Sequence, residues 1–159
     1  MPISLIRIDD RLVHGQVVES WVPHLNIREI IVISDEIASD EMRKTIMRFA
    51  TPDNVNLKIL NIAEAADYIP EIKASEKNLM LLLPGLKEAV ELINKGLHFA
   101  SINIGGMHFS AGKNFCIGKA IFLSDEDCRY LKLIAQSGVR IEGRGVPSDA
   151  SINLLEALT

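Results

Sequence analysis

Short, almost wholly apolar runs return at intervals along this chain, each followed by a turn and a longer amphipathic stretch. They fall at residues 3–8, 30–33, 57–60, 79–83, 101–104, 120–123 and 139–141, and the fourth reads Leu79-Met80-Leu81-Leu82-Leu83 without a polar interruption. A strand with one wet face alternates polar and apolar residues, whereas a strand that is apolar throughout has to be covered on both faces. Between the runs the period becomes helical. Leu86, Ala89, Val90 and Ile93 stand at i, i+3, i+4 and i+7, with Gly96 placed to end the helix. Met42, Ile46, Met47, Phe49 and Ala50 predict a second core-facing helix after a cap at Ser39. Ser124 with Asp125-Glu126-Asp127 predicts a third, which Gly138 closes. This alternation predicts an α/β fold: an open, mainly parallel sheet of about seven strands with helices on both faces.

No repeat, low-complexity tract or linker divides the sequence, so residues 1–159 are expected to form one domain. Aromatic residues make up 5% of the chain, which leaves an aliphatic core. The formal net charge of −4 supplies no basic surface to track phosphates, and nucleic acid is not an expected partner. Cys116 and Cys128 have neither CxxC spacing nor a histidine cluster, so they are expected as reduced, buried thiols rather than zinc ligands or a disulfide. The N-terminal apolar stretch is too short and too charged for a signal peptide. No apolar run approaches the roughly 20 residues that span a bilayer. The chain is therefore expected in the cytoplasm, and any membrane role would be peripheral.

In an open parallel sheet the functional loops lie beyond the carboxyl ends of the strands. The loop after the first strand is the most heavily loaded: Asp9-Asp10-Arg11-Leu12-Val13-His14-Gly15-Gln16, leading into a helical stretch at 17–25. His14 falls at the start of that helix. A neutral imidazole nitrogen is a competent nucleophile towards phosphorus. Arg11 offers a planar fork for the moving phosphoryl group, and backbone N–H groups of Gly15 and Gln16 at the helix start add oriented donors. Gly15 also lets the backbone approach a ligand closely. A carboxylate from Asp9 or Asp10 could fix the imidazole tautomer or hold Arg11. The residues by themselves leave an ordinary exposed charged turn equally open.

The same turn is not GxGxxG, and no GxxxxGK[ST] occurs anywhere. Nothing cradles the phosphates of ATP or a dinucleotide, and no cofactor is expected. If phosphate is handled here, it arrives on another molecule or protein.

The run Ile6-Arg7-Ile8-Asp9-Asp10-Arg11-Leu12-Val13-His14-Gly15-Gln16-Val17, with Trp21 shortly after, resembles the opening of the IIB component of the mannose/fructose/sorbose family of bacterial sugar phosphotransferase systems. Ile102-Asn103-Ile104-Gly105-Gly106-Met107 resembles the family's second signature, and Val146-Pro147-Ser148-Asp149 a third. The resemblance implies a protein-histidine phosphotransferase. His14 would accept phosphate on Nδ1 from a phosphorylated IIA protein or domain, supported by Arg11 and Asp10. It would then pass the group to a sugar imported through the membrane components IIC and IID. Gln16 would lie at the rim of the site. The segment Met107–Lys113 further resembles members for amino sugars such as N-acetylgalactosamine.

His108 is expected on the same sheet edge as His14, either lining the phosphoryl pocket or bonded to backbone as a plain loop histidine. Asp9, Gly15, Gln16 and His108 are thus the expected pocket residues around His14, Arg11 and Asp10. His24 and His98 are expected at the surface, and Trp21 as a core anchor about two turns beyond His14. Ser34-Asp35 and Pro84-Gly85 close strands on the same edge, where wall residues and simple turns are both consistent. The alternative to a phosphoryl carrier is a non-catalytic flavodoxin-like module in which His14 only binds an anion for regulation. A metal site at Asp9, Asp10, His14 and His108 lacks ligand spacing, so no metal is expected.

Overall fold

The computed structural model describes residues 3–158. Its strands are β1 (Ile3–Asp9), β2 (Glu29–Ile33), β3 (Asn56–Leu60), β4 (Leu79–Leu83), β5 (Ser101–Gly106), β6 (Lys113–Ile117), β7 (Ile121–Ser124), β8 (Arg140–Gly143) and β9 (Ile152–Asn153). Seven of them form one sheet in the order β3-β2-β4-β1-β5-β8-β9, parallel except for the last pair. The open, mainly parallel α/β sheet expected from the sequence is thus present, with one exchange of members. The run at 120–123 became β7, which pairs antiparallel with β6 in a separate hairpin, and β9 takes the seventh place. Ile152–Asn153 is too short to show a period, and Lys113–Ile117 is largely exposed and carries no apolar alternation.

β2 and β4 are buried at every position, as strands covered on both faces must be. One face is packed by α4 (Ile62–Ala74), α5 (Leu86–Asn94) and α6 (Asp125–Gln136) through Ile69, Ile72, Leu86, Leu92, Leu131 and Ile134. The other is packed by Val17 and Trp21 of the first helical stretch, by α1 (Val22–His24), by Ile37 of α2 (Asp35–Ala38) and by Met47 of α3 (Glu41–Ala50). Caps fix several starts. Asn61 with Glu64 and Ser124 with Asp127 form reciprocal capping boxes.

Three local expectations are corrected. The cap of α3 is Asp40, whose Oδ1 accepts the Arg43 N–H at 3.1 Å, because Ser39 is already used in closing α2. The apolar stripe of α3 does not face the core as a whole: Met47 is buried, but Met42, Ile46 and Phe49 are 75%, 61% and 88% exposed. Helical spacing reports that residues share a side, and only packing decides which side is covered. The thiols are not both buried as expected: Cys116, on the largely exposed β6, is exposed, and Cys128 is half-buried.

The chain leaves β1 towards β2 on one side, whereas β5 leads to β8 on the other. Adjacent strands whose connections diverge open a crevice at their carboxyl ends. The loops carrying His14 and His108 stand at that switch point.

Candidate active site

Arg7 and Asp9 are two residues apart on β1 and so share a face. Asn103 of β5 is paired beside Arg7, and Glu142 of β8 beside Asn103, giving a polar ladder across three strands. Arg7 is fully buried. Its Nη1 donates to Asn103 Oδ1 at 2.7 Å and to the Arg144 carbonyl at 3.0 Å. Its Nη2 donates to Asp9 Oδ2 at 3.1 Å and to Gln16 Oε1 at 3.3 Å. The guanidinium lies 5.4 Å from the centre of the Trp21 ring, within cation–π range. Gly105 makes room for it, since a Cβ there would stand 1.9 Å from Arg7 Cζ. Burial draws the guanidinium below its ordinary pKa and the Asp9 charge opposes that. Arginine nevertheless keeps its proton in proteins.

Asp9 is the hub of the site. Its Oδ2 also accepts from His14 Nε2 at 2.9 Å, while Oδ1 accepts the Arg11 backbone N–H at 3.1 Å and faces Arg11 Nε at 3.5 Å. Burial pushes the carboxyl pKa up, but the hydrogen bond and electrostatic pull of His14, the charge of Arg7 and the Arg11 amide outweigh it. The net position is below the ordinary value. An ionised carboxylate can only accept, so His14 Nε2 carries the proton that it receives. Nδ1 of His14 is left without a hydrogen-bond partner among the described residues.

The turn that delivers His14 is strained. Leu12 N–H donates to the Asp9 carbonyl at 3.0 Å, and Leu12 adopts φ +59°, a left-handed conformation uncommon for a bulky residue and costing about 1–3 kcal/mol. Its side chain, 1% exposed, packs among Val13, Val17 and Trp21. Full burial of a leucine returns about 1.5–3 kcal/mol, the same size as that strain, and so offsets it. Residues 15–24 then wind as a helix, with the Val18 N–H donating to the His14 carbonyl at 3.0 Å. The winding widens over Val17–Trp21, where the Val22 N–H reaches back to Val17 O just before Pro23. Proline has no N–H to continue the tighter ladder.

The site residues anticipated from sequence are brought together with altered roles. The carboxylate on His14 and Arg11 is that of Asp9. Asp10 turns away to hold His108, accepting its backbone N–H at 2.7 Å and pairing with its ring Nδ1. His108 therefore ties the loop after β5 to the loop after β1. Gln16 is half-buried and bridges the two arginines, its Oε1 also accepting from Arg11 Nη2 at 3.2 Å. Gly15 is exposed, and a Cβ there would meet nothing within 4 Å. Trp21 is a core anchor that also reaches across the site, donating from Nε1 to the Gly145 carbonyl at 2.9 Å. Ser34 accepts the Ile37 N–H and caps α2, while Asp35 accepts the Ile62 N–H and ties the start of α2 to that of α4. Arg7, Asn103 and Gly105 stand inside the sequence motifs, where nothing local assigns them a role. The available signal was a polar side chain flanked by isoleucines, in Ile6-Arg7-Ile8 and Ile102-Asn103-Ile104. Arg11 and Gln16 also line a cleft of about 470 Å³ with Lys119 and Arg144. Among the described residues, no group of three or more His, Cys, Asp and Glu side chains forms a metal-ligand set.

Fold and site define a doubly wound α/β domain presenting a carboxylate-oriented histidine at its switch point. The family model described as the PTS system sorbose subfamily IIB component matches residues 3–159. The fructose-specific EIIB component of Bacillus subtilis is 34% identical over 99% of this chain and 96% of its own length. The mannose-specific EIIAB component of Escherichia coli is 32% identical over the whole chain, which spans about half (49%) of that relative. The solved IIBSor domain of the sorbose permease from Klebsiella pneumoniae superposes with a TM-score of 0.92 at 31% identity, covering 99% of this chain and 96% of that one. An N-acetylgalactosamine IIB component from Streptococcus pyogenes gives 0.89 at 26% identity, covering 97% and 96%. The chain belongs to the sorbose subfamily of IIB components of the sugar phosphotransferase system.

Proposed function

We propose that residues 1–159 form one IIB domain that carries a phosphoryl group on His14. The observation that carries the reading is the commitment of His14 Nε2 to the buried Asp9 carboxylate, which leaves Nδ1 without a hydrogen-bond partner among the described residues while Arg11 is held on the other oxygen of the same carboxylate. The Nδ1 lone pair attacks phosphorus on the phosphohistidine of a IIA protein or domain. The new N–P bond forms as the donor's N–P bond breaks, and the donor imidazole leaves with that electron pair. With phosphorus on Nδ1 and the proton retained on Nε2, the His14 ring is positively charged, and Asp9 stabilises it. A sugar hydroxyl oxygen then attacks phosphorus, the His14 N–P bond breaks, and the hydroxyl proton passes to solvent. Arg11 stabilises charge on the moving group in both steps.

In this reading Asp10 and His108 hold the two site loops together, Gln16 aligns Arg11, and Gly15 leaves the helix start open to the incoming phosphate. The partners are phosphorylated IIA, the membrane components IIC and IID, and the imported sugar. The domain works in the cytoplasm, peripheral to the membrane, and no described helix is long and apolar enough to cross one.

Incubation with phosphorylated IIA should label one site, acid-labile and alkali-stable, and His14→Ala should abolish the label. Arg11→Ala should slow transfer on the order of 100-fold while leaving folding intact, since Arg11 is 46% exposed. Stoichiometric labelling of His14→Ala sinks the reading. A wild-type chain that binds phosphate but never becomes labelled would instead be the regulatory anion-binding module.

A further inference from the structure

Burying a guanidinium is costly unless each donor finds an acceptor. In Arg7 the Nε–H finds none among the described residues. Where stability alone matters, a well-packed aliphatic side chain serves as well as a buried ion pair or better. Arg7 nevertheless occupies the middle of a sheet built from isoleucine and leucine. Its two amino groups divide their work. Nη1 fastens Asn103 and the Arg144 carbonyl, while Nη2 reaches Asp9 and Gln16, the side chains that touch His14 and Arg11.

We propose that Arg7 is a positioning residue for phosphoryl transfer. Its guanidinium sets the Asp9 carboxylate against His14 Nε2 and the Gln16 amide against Arg11, so that the nucleophilic nitrogen and the phosphate-binding fork are presented together. This rests on His14 being the phosphoryl carrier.

With Arg7 in place the buried carboxylate has a permanent cation, and the imidazole need only donate one hydrogen bond. Without it, the charge of Asp9 is most readily neutralised by a second proton. That proton goes either to His14 Nδ1, giving imidazolium, or to the carboxyl itself. A protonated carboxyl would donate to Nε2 and move the ring proton to Nδ1. Either route removes the lone pair that attacks phosphorus. Lysine restores the charge but lacks a fork that spans Asp9 and Gln16 at once.

Gly105 gives an independent handle. The methyl of Gly105→Ala would stand 1.9 Å from Arg7 Cζ. It therefore displaces the guanidinium while leaving every group at His14 chemically unchanged.

The test combines nitrogen NMR of the unphosphorylated imidazole at neutral pH with single-turnover transfer from phosphorylated IIA, in wild type, Gly105→Ala, Arg7→Lys and Arg7→Met. In wild type, Nε2 should carry the proton and Nδ1 none. Folded Gly105→Ala should transfer on the order of 100-fold more slowly with little change in donor affinity, and with ring signals moved towards imidazolium or the other tautomer. Arg7→Lys should recover part of what Arg7→Met loses. If Arg7→Met does not fold, Gly105→Ala and Arg7→Lys decide. Wild-type rates and ring signals in those two variants overturn the proposal. Slowed transfer with unchanged ring signals overturns it as well, because Arg7 would then act only as scaffold. Labelling of His14→Ala refutes the carrier reading separately, while the ring signals, recorded without phosphate, still test how Arg7 controls the imidazole.

Discussion

Asp9→Asn isolates the energetics of the hub with the smallest change of shape. Both partners of the Arg7–Asp9 pair are fully buried, so solvent does not screen the loss. Oδ2 accepts from Arg7 at 3.1 Å and from His14 at 2.9 Å. An amide nitrogen at that position accepts from neither, and an amide oxygen there would turn the nitrogen onto the Arg11 N–H. Removing one partner of a buried pair costs about 3–5 kcal/mol. For a chain of this size each kcal/mol shifts the melting temperature by about 2–4 °C, which gives a fall of roughly 6–20 °C. The effect should depend on pH. The folded-state pKa of Asp9 lies below its ordinary value, so its contribution is fully present above the unfolded carboxylate pKa of about 3.9. It is lost as pH falls through the lower folded-state value. Urea and thermal unfolding of wild type and variant, at neutral pH and then stepwise into acid, should therefore show a gap that narrows on acidification. A neutral-pH gap below about 1 kcal/mol, the size of one ordinary hydrogen bond, would refute the buried-pair argument. So would a gap that does not shrink in acid.

Three further outcomes are expected. Gly15→Ala should leave stability unchanged or raise it by up to about 1 kcal/mol, because it begins a helix and its Cβ meets nothing. If its transfer rate drops while the melting temperature holds, Gly15 is needed for the approach of the phosphate and not for the fold. Trp21→Phe removes the hydrogen bond to Gly145 and should cost about 1–3 kcal/mol, read by chemical denaturation. Under native conditions an alkylating reagent should modify Cys116 before Cys128. Burial first, and then Asp125 and Asp127, hold the Cys128 thiol above its usual pKa. Equal rates on mass-spectrometric readout would contradict the packing around Cys128.

The amino-acid sequence determined the layer architecture, because that depends on local pattern. Leu79–Leu83 has no polar residue to offer water, so it had to lie inside a sheet covered on both faces. The period of Leu86, Ala89 and Ile93 had to be a helix packed on that sheet. Position was similarly legible for His14: a histidine at the end of the first strand stands at the sheet's carboxyl edge wherever the strands are placed. Three matters were decided by tertiary structure, because they depend on residues distant in sequence. Asp9 and Asp10 are adjacent and chemically alike, yet one ends β1 against Arg7 and His14 while the other, in the turn beyond, holds His108, 98 residues away. Helical spacing puts Met42, Ile46 and Phe49 of α3 on one side and Met47 on another, but nothing local states which of the two is left uncovered. Arg7 could only be recognised as part of the site once Gly105, brought alongside by strand pairing, was seen to leave its guanidinium the space that a Cβ would fill.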